Sequence, residues 1–392
     1  MNEVFIVAYS RTPIGSFGGV LGGFTATQLG SMSIKSAMEK INLDPNEVDE
    51  VLFGNVISAN LGQAPVKQAA LGAGIPNKAN CTLINKVCSS GMKSIMYAAQ
   101  SIQLGIADVV VAGGMESMSN IPHYIPGMRW GNKFGSSEII DGLQKDGLVD
   151  AYGKMAMGVC ADATAKKFDI SRESQDQYTI SSYTKSAESA KTSKFANEIH
   201  PVTLLQKKGD PIILTEDEEF KKVDFSKISN LKPIFTADGS VTAANSSTMN
   251  DGASAIILMS EKKMKELQLK PLARIVSYTD AEQEPEWFTL APSLAAPIAI
   301  KKAGLTKNDI DYFEINEAFA VVPLTFAKVV DIDPSKMNIN GGSVSLGHPL
   351  GSTGCRIVST LSEILHQHNA KYGLAAICNG GGGASAVIIE KM

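Results

Sequence analysis

No window of the 392-residue chain approaches the ~18 uninterrupted apolar residues that a membrane helix needs, so no membrane span is expected. Basic residues are not in excess either. The 36 Lys and Arg against 40 Asp and Glu leave a net charge of −4 with signs mixed along the chain, and nucleic acid is not an expected partner. The five cysteines (Cys81, Cys88, Cys160, Cys355, Cys378) are odd in number and lack a C-x-x-C pair. That spacing suits neither a disulfide framework nor zinc and points to a reducing compartment. The five histidines show no metal-ligand spacing; His366 and His368 fall at a polar helix end, where solvated surface accounts for them. No charged stretch leads into a cleavable apolar run: MNEVFIVAYSRTP reads as a β-strand, and Glu390-Lys391-Met392 is not a peroxisomal tripeptide. The expected location is cytoplasmic, with the mitochondrial matrix as the alternative for a chain whose presequence has been removed.

What the chain does contain is itself, twice. Leu43–Asp49 (LDPNEVD) is echoed by Leu305–Asp311 (LTKNDID), Ser89-Ser90-Gly91-Met92-Lys93 by Ser352-Thr353-Gly354-Cys355-Arg356, and Ile6-Val7-Ala8-Tyr9 by Ile275-Val276-Ser277-Tyr278. Gly252-Ala253-Ser254-Ala255 recurs as Gly383-Ala384-Ser385-Ala386, each time ahead of an apolar strand. The order and near-constant offset predict two copies of one α/β unit. Copy one is 1–118 plus 245–268 and copy two is 269–392, with 119–244 an insertion richer in Lys, Ser, Asp and Glu. Short Val-rich runs bounded by Gly (VDEVLFGNVI, ADVVVAGG) alternate with helical spacing such as Met92, Ile95, Met96, Ala99 and Ile102. Alternation of this kind predicts sheets covered by helices, with a site where the strand ends of the two copies meet.

Four segments carry chemistry. In NKVCSSG an apolar strand delivers Cys88 to a helix start, where the dipole favours a thiolate; the other reading is a small buried apolar residue. In GGSVSLGHPLGSTG, Pro and Gly hold His348 on a rigid loop, and the repeat aligns Gly351 with Cys88. A histidine beside a cysteine can act as base or orient an oxyanion. In ICNGGGG four glycines follow a strand and expose N–H groups beside Cys378, itself either a working thiol or a second buried one. No helix follows them, so a dinucleotide fingerprint does not fit. In FEINEAFA, Asn316 and Glu317 stand between a strand and an apolar helix, where an N-cap and first-turn acid would also explain them.

Taken together and in order, NKVCSSGMKS, VVVAGGMESMS, VTAANSSTMNDGA, YFEINEAFA, GGSVSLGHPLGSTG and ICNGGGGASA resemble the thiolases over the whole chain, and among them the acetyl-CoA acetyltransferases. The resemblance implies an α/β thiolase fold, two duplicated halves in five layers (αβαβα) with an inserted loop domain. It implies reversible Claisen condensation of two acetyl-CoA to acetoacetyl-CoA and coenzyme A through an acetyl-cysteine. By the same resemblance Cys88 is the nucleophile and Cys378 the acid/base. His348 Nε2 with a water on Asn316 forms one oxyanion site, and the N–H groups of Cys88 and Gly380 form another. Lys222, Val223, Asp224 and Lys227 match positions near the coenzyme A nucleotide, Ser247 the pantetheine arm, and Met157, Phe288 and Phe319 the pocket walls. For Lys222 and Lys227 a solvated charged face is the plain alternative. No cofactor is needed for the chemistry. One branch binds potassium, and Tyr183 (also grouped with the coenzyme A residues), Ala243, Ala244, Ser246 and Val344 match that site. Ser246, Thr289 and Ala156 depart from that branch's usual Ala, Pro and His. A homotetramer of tight dimers is implied, with the apolar IPHYIPGMRW as an assembly contact. The alternatives are a degradative 3-ketoacyl-CoA thiolase of longer chain length and a non-catalytic acyl-CoA-binding protein.

Overall fold

The computed structural model describes residues 2–206 and 208–392. Strands β1 (Val4–Arg11), β2 (Glu50–Gly54), β3 (Asn80–Ile84), β4 (Val109–Ser117) and β5 (Asn250–Ser260) run in the order β3-β2-β4-β5-β1. Strands β6 (Ala273–Glu282), β7 (Tyr312–Ile315), β8 (Tyr372–Asn379) and β9 (Gly383–Lys391) run in the order β7-β8-β9-β6. In each set the outer strands are parallel and the inner ones antiparallel. The sequence repeat extends to a detail: the register slips between Ile6 and Ala8 in one set and between Ile275 and Ser277 in the other. The two sets join edge to edge where Phe5 pairs with Arg274 and Ile6 with Ala273. They are therefore continuous at this corner, where the sequence suggested two separate sheets.

β1, β4 and β5 are buried along their whole length, which explains why their sequences are near-continuous apolar runs instead of alternating ones. The main helices are α1 (Ala26–Glu39), α2 (Pro65–Gly72), α3 (Ser90–Gln103), α4 (Met157–Lys167), α5 (Arg172–Lys191), α6 (Pro292–Lys302), α7 (Val321–Val330) and α8 (Leu350–Gln367). α1 and α2 cover one outer face, packing Leu29, Ile34 and Val66 on Phe53 and Val111. α4, α6 and α7 cover the opposite outer face. α3 and α8 lie between the two sets of strands, so Met92 and Ile95 meet Ile357 and Leu361. The result is five layers.

In α8, the more enclosed of the two middle-layer helices, every residue from Leu350 to Leu365 is buried. Its small residues serve that setting. A Cβ on Gly114 would sit 1.8 Å from the Gly351 carbonyl, and one on Gly354 would sit 2.4 Å from the Met92 nitrogen. Strand β4, the start of α3 and the start of α8 therefore touch backbone to backbone. That seam brings the segments bearing Cys88 and His348 together. The 119–244 segment adds α4, α5 and two short ribbons, and is tied to β1 through buried Arg11, which donates to Asp217 at 2.7 and 2.9 Å and to Glu198 at 3.1 Å.

Candidate functional site

A cavity of about 570 Å³ opens at the seam. Of the residues singled out by sequence, Cys88, His348, Gly380, Met157, Lys222, Ala243, Ser246, Ser247, Phe288 and Phe319 line it. Cys378 and Asn316 are buried behind that wall, and so are Tyr183 and Val344, which pack together with Ile14 and Leu346. Val223 is half-buried on the edge of that cluster, and Asp224 and Lys227 are exposed beside Lys222. A larger shallow groove of about 810 Å³ follows the edge strand β3, but it holds no thiol or imidazole. The smaller cavity is where the reactive groups converge.

Cys88 sits in a sharp turn between β3 and α3. Val87 before it has φ +46°, a conformation that costs a β-branched residue about 1–3 kcal/mol. The turn is held by Asn85 Oδ1 accepting from Val87 N (3.0 Å), and by Ser90 Oγ, which accepts from Lys86 N (2.8 Å) and donates to the Val87 carbonyl (2.6 Å). This strain at the residue before Cys88 is invisible to composition. The helix itself starts at Ser90, with Ser89 as N-cap. The thiol does not behave as the helix dipole alone would have it. Burial pushes it up to about 12, the N–H groups of Gly380 and of Cys88 itself pull it down, and the Glu116 charge pushes it up again. No cation stands among these causes, and with burial the largest of them the resting group is a thiol.

Cys378 is the last but one residue of β8, fully buried, and its thiol is held well above the ordinary range by burial first and then by the neighbouring Cys88 sulfur. Two thiols that feel each other share one small space. Beyond Cys378 the chain turns at Gly381 and Gly382, both with positive φ. Gly380 itself is not crowded, since a Cβ there would make ordinary contact with Val87 and Met157. The positive φ that favours glycine thus falls on its neighbours Gly381 and Gly382 and not on Gly380.

His348 lies between the turn Ser343–Leu346 and α8. Gly347 (φ +105°) makes the approach possible, because a Cβ there would strike the Asn250 side chain at 2.4 Å. Asn250 Oδ1 accepts from His348 N at 2.9 Å, a fixing role that the NSSTMN segment hid. Nδ1 lies 2.7 Å from Thr353 Oγ1, which also donates to the Pro349 carbonyl at 3.0 Å. With the hydroxyl proton so used, Nδ1 carries the ring proton and Nε2 presents a lone pair. Burial, helped by the Arg356 charge, holds the imidazole down to about 3, so it is neutral at rest. Nε2 lies 3.5 Å from Asn316 Nδ2. Glu317, expected as a first-turn acid, is instead a buried carboxylate accepting from Tyr178, Ser182, Asn338 and Val344 N.

Phe319 meets Phe235 and Phe288 edge-on, with centroids 6.1 and 6.5 Å apart, at the apolar end of the cavity. At the other end Lys222 is 2.8 Å from Glu218 and 2.5 Å from Ser16 Oγ. Phe235, Leu148 and Leu350 also line the cavity and carry no motif that would single them out in sequence.

Residues 4–262 match the family model for the thiolase N-terminal domain and 269–391 that for the thiolase C-terminal domain. The mitochondrial acetyl-CoA acetyltransferase of Rattus norvegicus is 53% identical, over 100% of this chain and 92% of the relative. A cytosolic acetyl-CoA acetyltransferase of Gibberella zeae is 51% identical, over 100% of this chain and 99% of the relative. Among solved structures, the Acat5 thiolase of Ascaris suum in complex with coenzyme A superposes with a TM-score of 0.93 at 43% identity, covering 100% of both chains.

Proposed function

The chain belongs to the thiolase family, and from that premise we propose that it is an acetyl-CoA C-acetyltransferase, joining two acetyl-CoA into acetoacetyl-CoA and coenzyme A and reversing the reaction. The observation that carries this is the convergence of Cys88, His348 and Gly380 on one cavity with Cys378 and Asn316 directly behind it.

The protons balance as follows. His348 Nε2 takes the Cys88 proton as the sulfur attacks the first thioester, while the Cys378 thiol protonates the departing coenzyme A sulfur. The N–H groups of Gly380 and Cys88 stabilise the tetrahedral oxyanion. What remains is acetyl-Cys88, an imidazolium and a Cys378 thiolate. The thiolate takes a methyl proton from the second acetyl-CoA, and the Nε2–H, with a water on Asn316 Nδ2, supports the enolate oxygen. The enolate carbon attacks the acetyl-thioester, Cys88 leaves as thiolate, and the imidazolium returns its proton.

The cavity, lined by the phenylalanines, Ser247 and Lys222, suits an acyl-pantetheine arm passing Ser247 with its phosphates near the exposed Asp224 and Lys227 and the half-buried Val223. Potassium beside Tyr183, with the carbonyls of Ala243, Ala244, Ser246 and Val344, suits the chemistry: Ala243 and Ser246 adjoin Ser247 on the wall, and the buried Tyr183 hydroxyl feels the Glu219 and Glu317 charges. Bound there, the ion would order the wall that holds the arm.

We divide the chain into 1–118 plus 245–268, 119–244 and 269–392, because β5 pairs between β1 and β4 although the whole 119–244 segment intervenes. We assign a homotetramer. Edge strand β3 exposes Leu83 beside Tyr97, Leu104 and Ile106, which suits a dimer contact, and Met128, Trp130 and Phe134 are exposed in the 119–244 segment. Among the described residues no helix is long and apolar enough to cross a membrane. We place the enzyme in the cytoplasm, with the mitochondrial matrix as the alternative since relatives of both names exist. The decisive assay is thiolysis of acetoacetyl-CoA by coenzyme A, run beside C8 and C16 ketoacyl-CoA. Rapid turnover of the C4 substrate alone is expected. Preference for C16 would favour the degradative reading, and no turnover would leave only a binding protein.

A further inference from the structure

We propose that Ser343 and Arg356 are positioning residues for the enolate-forming half of the reaction, holding the Asn316 amide with its Nδ2 toward His348. This rests on the roles given above to Asn316 and His348.

The argument is one of donors and acceptors. Arg356, 1% exposed in α8, donates from Nη2 to Ser343 Oγ at 2.8 Å. A guanidinium can only donate, so Ser343 accepts in that bond and keeps its single proton for another partner. That proton goes to the Asn316 side-chain atom 2.7 Å away, which must therefore be the acceptor Oδ1. Turning the amide over would place Nδ2 on the remaining lone pair of the Ser343 hydroxyl and leave the hydroxyl proton without its acceptor, so the chain would lose a hydrogen bond. Nδ2 is thus kept on the far side, 3.5 Å from His348 Nε2. Direction passes along the chain Arg356, Ser343, Asn316, and ends at the atom that holds the enolate's water.

Arg356 is otherwise poorly used. Its nearest carboxylate, Glu314, is 3.8 Å from Nη1, and Arg356 Nε and Nη1 and Glu314 Oε1 have no hydrogen-bond partner among the described residues. A buried guanidinium in so loose an ion pair is a poor stabilising device, since desolvation outweighs the attraction. Its one short bond runs toward the site. Its charge also reaches His348, where it adds to burial in keeping the imidazole neutral at rest. A fixed positive charge behind an oxyanion site, shielded from water, favours the transition state in which negative charge develops there.

The test uses the full-length enzyme and separates the two half-reactions. Acetyl-enzyme is trapped from labelled acetyl-CoA, and enolate formation is read as exchange of the acetyl-CoA methyl protons in D2O. Ser343→Ala and Arg356→Met should each slow exchange and condensation together by about 10- to 100-fold, the scale on which loss of an orienting partner acts, while the acetyl-enzyme amplitude stays at the wild-type level. Arg356→Lys, which can still donate to Ser343, should recover part of the loss. Exchange at the wild-type rate in Ser343→Ala would overturn the proposal, as would acetylation falling in proportion with exchange. Ser343→Ala removes one oxygen and keeps the Cβ, so it reads the proposal even where Arg356→Met does not fold. A wild-type enzyme giving neither acetyl-enzyme nor exchange would overturn the functional reading and the proposal with it. A competent wild type with unaffected variants overturns the proposal alone.

Discussion

Gly114→Ala adds one methyl where strand β4 meets the start of α8. The new Cβ would lie 1.8 Å from the Gly351 carbonyl, and ordinary contact begins at 3.4 Å, so about 1.6 Å of movement is required. The obstacle is backbone and cannot swing aside as a side chain would. Overpacking of this kind costs about 1–3 kcal/mol, and a rigid neighbour puts this case at the upper end. The movement falls on the residues just after His348, and a 1 Å misplacement of a reacting group costs roughly 100-fold in rate. The variant should therefore lose stability in a urea titration and at least that factor in kcat for thiolysis. The KM for coenzyme A should change little, because Lys222 and Ser247, proposed to hold it, are not among the atoms nearest the new Cβ. Gly23→Ala is the control, since a Cβ there meets nothing within 4 Å. A Gly114→Ala enzyme with wild-type kcat and unfolding midpoint would refute the idea that the seam sets the spacing of Cys88 and His348.

Cys378→Ser should accumulate acetyl-enzyme more slowly, since the thiol that protonates the departing coenzyme A is gone, and should lose most condensation, by the ~10²–10⁴-fold that a general base supplies; near wild-type condensation would make Cys378 packing. His348→Asn should cut turnover by roughly 10²–10³-fold, and it should also flatten the acid side of the stability profile. His348 is depressed from 6.5 to about 3, so the unfolded chain binds the extra proton; the stabilisation is whole above pH 6.5 and is lost as pH falls toward 3. The wild type should lose about 2 kcal/mol more than the variant between pH 6.5 and 5, at ~1.4 kcal/mol per unit, and parallel denaturation profiles would contradict this. Alkylation of free Cys88 by iodoacetamide should keep accelerating above pH 9, as a thiol pushed up to about 12 requires, and a plateau by pH 7 would restore the helix-dipole reading. Potassium should raise activity over sodium at equal ionic strength, and identical kinetics in both salts would remove the ion from Tyr183 and the carbonyls beside it.

The internal repeat was legible because the same physical problem is solved twice with similar residues: the bulge after Ile6 and after Ile275, and the short turns after Asp44 and after Thr306, which lead into β2 and β7. Cys88 and His348 were legible because glycine, proline and serine around them announce constrained loops. The electrostatics were not. A helix start promises a thiolate, and only the packing of α8 over it shows that desolvation prevails. Arg356 and Ser343 escaped notice because their meaning lies in what they touch. Arg356 sits in a helix whose sequence reads as amphipathic, yet every residue around it is buried.

The phenylalanine row at the end of the cavity has a consequence for how such an enzyme can change. Phe288 leans on Phe319 and Phe319 on Phe235, each edge to face. On the proposed function, together they would set a stop for an acyl chain growing away from Cys88 in the cavity they share. Truncating Phe288 alone does not lift that stop, because Phe319 loses its support and can tip into the space released. A longer chain needs at least two rings to give way in concert. Each single step on that path loses aromatic packing, about 0.5–1.5 kcal/mol per contact beyond the area buried, before it admits any new substrate. Drift toward longer acyl groups therefore starts with a loss of stability that no gain in substrate range offsets.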